Sequence, residues 1–281
     1  GSGTETTATD SSGNNNTGIL LNFTGTYWVE HSNYDTDAEN YFNAVSTAGG
    51  ALSETFKTNY NTMVLGLKSD SVYSKLLRFN PNAGGTEASA EVDQIIPTTN
   101  NINFVNSPTI DAEIGVDFNG TNQYTDMNFA PSGVFVSPTD YQFGVTVLTA
   151  PAYLGDYIMG TQDNATSKRM ITRIDGYIRG LNTGISTSTT TTTISGTNLS
   201  WSRSAVDRID AFYNGISEGN NTSTDTGALP INNFLYGCIS NAGTPSFFAE
   251  GKYTFPWMAQ GMTATDMLNL HNRISTFISS L

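Results

Sequence analysis

Residues 199–240 read LSWSRSAVDRIDAFYNGISEGNNTSTDTGALPINNFLYGCIS, and this stretch decides the fold class. Two runs within it, Arg208–Tyr213 and Asn233–Ile239, are rich in β-branched and aromatic residues and read as strands. Asn214-Gly215 directly follows the first run. Asn-Gly between β-prone residues is the strongest short-range hairpin signal, because both central positions of the favoured tight turn need positive φ. A polar loop ending in Leu229-Pro230 separates the two runs.

Outward from this stretch the chain keeps the same character. Val116–Phe118 and Tyr124–Phe129 flank a second Asn-Gly turn, Asn119-Gly120. Tyr141–Leu148 (YQFGVTVL) alternates and reads as a core strand. Asp156–Gly160, Arg169–Asp175 and Gly176–Leu181 are short strands divided by Gly, Asn and Asp turns. Thr187–Thr193, almost pure Thr and Ser, reads as an exposed strand or loop, with strand preferred. Phe247–Phe255 adds another, and Pro256 after it allows an edge position or a bend. Thr263–Leu281 reads as a capped helix whose docking face is Met267, Leu270, Ile274, Phe277 and Ile278.

The N-terminal third differs. Gly1–Thr17 is a low-complexity run of Thr, Ser, Asn and Gly, expected to be flexible because it buries too little apolar area to offset its ordering entropy. The opening Gly-Ser-Gly reads as a cloning remnant. Ile19–Val29 (ILLNFTGTYWV) is β-prone and reads as a strand docked on the domain or on a partner chain, with a peripheral strand of the same fold preferred. From Asp35 the period turns helical. Thr36 or Asp37 is expected to cap a helix carrying Ala38, Tyr41, Phe42 and Val45, ended by Gly49-Gly50. Ser53 caps a second helix with Phe56, Tyr60, Met63, Val64 and Leu67 on one face. A third helical turn is expected at Ser71–Leu77. These aromatics read as a packing face. The expected division is a leader and peripheral strand over residues 1–34, a helical subdomain over 35–90 that packs on the rest, and a jelly-roll domain over 91–281.

Composition sets limits on function. The chain has 281 residues, 12 basic against 25 acidic, and a formal charge of −13. Such a surface repels phosphate backbones, so nucleic acid is not an expected partner. No apolar run reaches the ~20 residues of a helical membrane span, so membrane insertion is not expected, and no signal peptide is visible. The lone cysteine, Cys238, has no intrachain partner and reads as a small buried hydrophobe.

Several segments together resemble a known family. AENYFNAVSTAGGALSETFKTNYNTMVLGLKSDSVYSKLLRFNPNAGG, within which lie Met63–Lys68 and Val72–Gly85, is similar to a segment that precedes a concanavalin A-like domain in many tailed-phage virion proteins. Tyr73 stands where that segment has Trp, and Phe79-Asn80-Pro81 where it has Tyr-Pro. The likeness continues through IGVDFNGTNQYTDMNFAP (Ile114–Pro131), the Tyr-Asn-Gly and Leu-Pro passages, and the final helix. It implies a mainly β, concanavalin A-like antiparallel jelly-roll sandwich with a small N-terminal helical subdomain and a C-terminal helix. It further implies a non-enzymatic phage structural protein on the virion surface, hence extracellular, in contact with other virion proteins. Adhesion to cell-surface or mucus glycans is the implied role. A purely structural decoration protein, a secreted lectin and a glycoside hydrolase are the alternatives, and a homo-oligomer is left open.

Chemical motifs are sparse. Glu91-Val92-Asp93 begins like the strand-borne carboxylate cluster of jelly-roll glucanases, but Ile95, Ile96 and Pro97 follow where a third carboxylate is needed. Asp111, Glu113 and Asp117 lie beside a Gly turn. His31 and His271 have no nearby nucleophile with an orienting carboxylate, so no hydrolytic triad is expected. No cofactor is expected. Structural calcium is left open at Asp163-Asn164 and in the Glu218–Asp225 loop, where Asp and Asn oxygens also serve ordinary turns. For sugar binding, lectins stack an aromatic ring on a pyranose and bond its hydroxyls with polar side chains. Tyr177 and Arg179 share a strand face by alternation, Arg173 lies on a neighbouring strand or turn, and Trp201 is the aromatic candidate, with Trp257 as an alternative. Packing is the competing reading for each.

Overall fold

The Asn214-Gly215 turn joins two antiparallel strands in the computed structural model, which describes residues 7–9, 17–19, 34–98, 101–150, 157–163, 169–174, 178–182, 185–188, 195–205, 208–222 and 228–281. Two short strands, β1 (Thr7–Thr9) and β2 (Thr17–Ile19), pair antiparallel within a unit of their own, Gly1–Asn33. A run expected to be flexible thus contributes a strand to a pair. Residues 20–33, with most of the expected strand Ile19–Val29, lie outside the described residues.

The second unit, Tyr34–Leu281, begins with α1 (Thr36–Thr47), α2 (Glu54–Ser69), β3 (Leu76–Phe79) and the single turn α3 (Glu87–Ala90). Short strands β4 (Asn103–Val105), β5 (Thr109–Ile110), β6 (Val116–Asn119) and β7 (Tyr124–Asp126) follow, then the turn α4 (Pro131–Val134). The long strand β8 (Tyr141–Thr149) leads to β9 (Tyr157–Gln162), β10 (Arg169–Ile174), β11 (Ile178–Asn182) and β12 (Ile185–Ser188). Next come β13 (Thr197–Ala205), β14 (Arg208–Tyr213) and β15 (Ile216–Asn221). The chain closes with β16 (Leu235–Tyr236), β17 (Ile239–Asn241), β18 (Thr244–Ser246), β19 (Glu250–Ala259) and α5 (Ala264–Ile278).

Two sheets form the sandwich. One has the order β15-β14-β13-β8-β19-β6-β5, with β3 also on β19; the other runs β12-β11-β10-β9-β16-β7-β4, with β17 on β9 and β18 on β17. Apart from the parallel pair β17–β9, the strand pairs are antiparallel. The chain is mainly β, with the expected antiparallel sandwich of two sheets, a small N-terminal helical layer and a C-terminal helix. Alternation explains its core: Phe143, Val145 and Val147 of β8 point between the sheets and meet Phe118, Phe234, Tyr236 and Tyr253. The alternate residues Gln142, Gly144 and Thr146 are buried as well, because helices cover the other face of that sheet.

This helical layer makes the second core. Tyr41, Phe56, Tyr60, Met63, Leu67, Leu270, Ile274 and Phe277 pack with Phe255 and Trp257 of β19. Phe277 meets Phe56 edge-on at 5.2 Å and Tyr60 at 5.3 Å. Lys68, in the last turn of α2, reaches Asp35 and Asp37 at 2.6 Å, so its charge faces the acidic start of α1.

Local signals misplaced several details. Asp35 caps α1, its side chain accepting from the Asp37 N–H, where Thr36 or Asp37 was expected; Ser53 and Thr263 cap α2 and α5 as read. Only Tyr73–Lys75 of the expected third helix is helical, and Leu76–Phe79 is a strand because β6 pairs only with Glu250–Tyr253 of β19 and leaves Trp257–Ala259 open to it. Asn233–Ile239 divides at Gly237, whose φ of +81° breaks the run between β16 and β17. Tyr124–Phe129 shortens to β7 because Asn128 turns left-handed, at φ 55°. Pro256 lies within a central strand and not at an edge. It sits where the β8–β19 register shifts beside Phe255 (φ 45°), a bulge that accommodates the missing N–H. Among the described residues no helix is long and apolar enough to cross a membrane.

Candidate functional site

The carboxylates singled out from the sequence serve the backbone. Asp93 is fully buried and accepts from the N–H groups of Phe79 (3.2 Å), Ile95 (2.7 Å) and Ile96 (3.3 Å). Burial pushes its carboxyl up to about 6, opposed by the Arg78 charge and those N–H bonds. Glu91 accepts from the Phe104 N–H at 2.7 Å. Asp111 pairs with Lys252 at 2.5 Å and accepts from the N–H groups of Glu113 and Ile114. His271 is half-buried on α5, where burial lowers its affinity for a proton, and His31 lies outside the described residues. Cys238 is buried, and burial raises its thiol well above the ordinary range.

The two calcium candidates are only partly described. Asp163 accepts from Ile231 N–H at 3.2 Å and from the Asn232 amide at 2.7 Å, which is loop-tying chemistry; Asn164 and Asp225 lie outside the described residues. Among the described residues no group of three or more His, Cys, Asp or Glu side chains is arranged to hold a metal ion.

Trp201 must be corrected as a ligand candidate. It is 1% exposed and packs in the sandwich core, so neither ring face is open to a sugar. β13 lies in the middle of its sheet, and position 201 shares the inward face with Leu199. Trp257, the alternative, is equally buried beneath the helices. Tyr177 lies outside the described residues, in the β10–β11 connection.

Arg173 and Arg179 are brought together. They are register partners across β10 and β11. On its other side Arg173 pairs with Tyr157 of β9, at a β-bulge between Thr172 and Arg173. Bulges re-aim a strand locally and occur often beside binding sites. The row Arg179–Arg173–Tyr157 therefore crosses three adjacent strands at one level.

An aromatic pair closes the row. The Tyr157 and Phe247 rings lie 4.9 Å apart, tilted by 39°. Phe247 is 51% exposed and sits at φ 57°, in the left-handed region. A bulky residue there is a true outlier, and such strain gathers at ligand-contacting positions. The local cause is the β17–β18 hairpin. Its turn, Ala242-Gly243, has positive φ at both residues, and the chain must then cross from β18 in one sheet to β19 in the other through Phe247. Tyr124 and Phe248, 6.1 Å apart, extend the aromatic group. Sequence reading missed Tyr157 and Phe247 as site residues, taking both into strands. Only the Phe247-Phe248 doublet after a tight turn could have signalled them.

No protein-family model matches the chain, and no curated protein matches it. Solved structures do. A mutant of Trypanosoma rangeli sialidase displaying trans-sialidase activity is similar over 78% of this chain and 39% of its own, with 12% identity and a TM-score of 0.53. The binding domain of botulinum neurotoxin serotype D is similar over 70% of this chain and 51% of its own, with 7% identity and a TM-score of 0.50. Domain 4 of a GH43 extracellular arabinanase from Geobacillus stearothermophilus, in complex with arabinotriose, covers 61% of this chain and 82% of its own, with 14% identity and a TM-score of 0.43. The chain thus spans about two fifths of the sialidase and half of the toxin domain. At these identities the likeness establishes the fold, a β-sandwich. It also corrects the expectation of a non-enzyme: this sandwich occurs within a sialidase, so a lectin-like fold gives no ground for excluding catalysis.

Proposed function

We propose that the chain recognises glycans at the end of its second sheet, where an exposed, left-handed Phe247 packs on Tyr157 beside the Arg173–Arg179 pair. The Phe247 conformation carries the proposal. An exposed ring held at a strained φ contributes little to the core, whereas an open ring beside a second aromatic suits the apolar face of a pyranose. Arg173, Arg179 and Tyr177 are the polar contacts in this reading. The sialidase is a glycan-processing protein that contains a similar architecture, which supports the reading.

The finer placement rests on the motif resemblance of Met63–Lys68, Val72–Gly85 and Ile114–Pro131. In this reading the domain is displayed on a tailed-phage particle, meets other virion proteins, and adheres to cell-surface or mucus glycans outside the cell. Many copies on one particle then turn weak single contacts into firm adhesion through effective concentration. A decoration role on the same particle is the second reading, favoured by the same motifs.

The test is a glycan array probed with multivalently presented protein. Binding to a defined glycan set, lost in Phe247→Ala and Arg173→Ala, is the expected result. An array blank at high valency, with binding to a capsid or tail protein retained, would leave only the decoration role.

A further inference from the structure

A cleft of about 690 Å³ lies between α1 and the segment that follows α3. Its volume falls within the ~300–1,000 Å³ usual for small-molecule sites. Asn40, Asn43 and Thr47 line it from successive turns of one α1 face, at i, i+3 and i+7. Thr98 and Asn101 line the other side, and the floor includes Ala44 and the buried Val92. Among the described residues no charged side chain lines it.

Most of the polar side chains around this cleft are uncommitted. Among the described residues, the Asn40 and Asn43 amides and the Thr98 hydroxyl have no hydrogen-bond partner, and Asn101 Oδ1 is buried without one. The Thr47 hydroxyl donates to the Asn43 carbonyl at 2.8 Å and keeps lone pairs for accepting. A side-chain amide offers a donor and an acceptor side by side, which matches vicinal hydroxyl groups. Leaving a buried acceptor such as Asn101 Oδ1 unpaired costs ~1–3 kcal/mol, a penalty that a ligand hydroxyl would offset after a small turn of the amide.

We infer that this cleft is a second saccharide site, on the helical layer, selective for neutral sugars. It rests on the glycan reading above but uses none of the same residues. Small apolar groups on the floor meet the C–H face of a ring, while the amides meet its hydroxyls. Selectivity follows from charge. No cation lines the cleft to receive a carboxylate, and the chain as a whole carries −13. Sialylated sugars are therefore excluded from this site.

The experiment is ligand-observed NMR on the full chain, with maltotriose, chitotriose and 3′-sialyllactose as probes. Ala44→Phe fills the floor, and Asn101→Leu removes the amide at about constant size. Both are checked for folding by thermal unfolding; where Ala44→Phe fails to fold, Asn101→Leu decides alone. We expect a neutral trisaccharide to bind and to weaken about tenfold or more in the variants, a loss of ~1.4 kcal/mol or more. The glycan-array pattern that depends on Phe247 stays unchanged in them. Neutral probes binding wild type and variants alike would overturn the cleft site and leave the glycan reading standing. Neutral probes that fail to bind wild type, with the array positive, do the same. No probe bound and a blank array would remove both.

Discussion

Gly215 lies where a Cβ would stand 2.7 Å from the Leu268 Cα and 3.0 Å from the Met267 carbonyl oxygen, both on α5, at φ +75°. The Asn-Gly turn is thus a docking point for the C-terminal helix as well as a hairpin. Gly196 has almost the same φ, +74°, but nothing within 4 Å of its virtual Cβ. Gly196→Ala should cost ~1–2 kcal/mol for the left-handed conformation alone. Gly215→Ala should cost at least ~1 kcal/mol more, because helix backbone has to move. Urea unfolding of the two variants measures the difference, and equal losses would contradict the close approach. Asp93 offers a second test. Its folded-state affinity for a proton lies above the unfolded value of 3.8, at about 6, chiefly through burial. The folded state then holds the proton more tightly, so this contribution is fully present below pH ~4 and is lost as pH rises through ~6. Relative to wild type, Asp93→Asn should gain stability across that window. A difference between the two that stays flat from pH 4 to 7 would show that the carboxyl titrates normally.

Helix α5 is held at its start and along its buried face. Thr263 accepts from the Asp266 N–H at 3.2 Å, and Asp266 accepts in return from the Thr263 N–H at 2.6 Å, a reciprocal cap. Lys75 bonds the same carboxylate at 2.7 Å, linking the helix to the turn before β3. Thr263→Ala should therefore cost ~0.5–2 kcal/mol. Phe277 touches Phe56, Tyr60 and Phe255, so Phe277→Ala should cost ~3–5 kcal/mol. Chemical denaturation gives both values. A larger loss for the cap than for the ring would mean that α5 is held by its end and not by its buried face.

From Tyr34 to Leu281 the chain forms one unit, and the pairing of β3 with β19 shows why. A strand from the N-terminal third completes a sheet otherwise built from residues beyond 108. Arg273 of α5 also pairs with Asp70 at the end of α2, at 2.8 Å. Unfolding should therefore be a single transition, with far-ultraviolet circular dichroism and aromatic fluorescence changing together. Proteolysis at Gly84-Gly85 should not leave the C-terminal fragment folded. A stable fragment beginning near residue 86 would show instead that the helical layer is an independent domain.

Local chemistry was enough to place what depends on neighbours in sequence. Ser53 and Thr263 announce helix starts because a cap acts within three residues, and Asn214-Gly215 announces a hairpin because its backbone preference is intrinsic. The helix faces and the alternating core strand were legible for the same reason: they are periodic patterns of apolar residues. What required the whole fold were contacts made across long stretches of chain. Leu76–Phe79 is a strand because β19 offers an edge, and Trp201 is buried because the second sheet covers it. Within the candidate site, the pairing of Arg173 with Arg179 lay within one local hairpin and was nearly readable. The meeting of Tyr157 with Phe247 was not, since no sequence period connects residues so far apart and only the return of the chain through β17 and β18 brings the rings together.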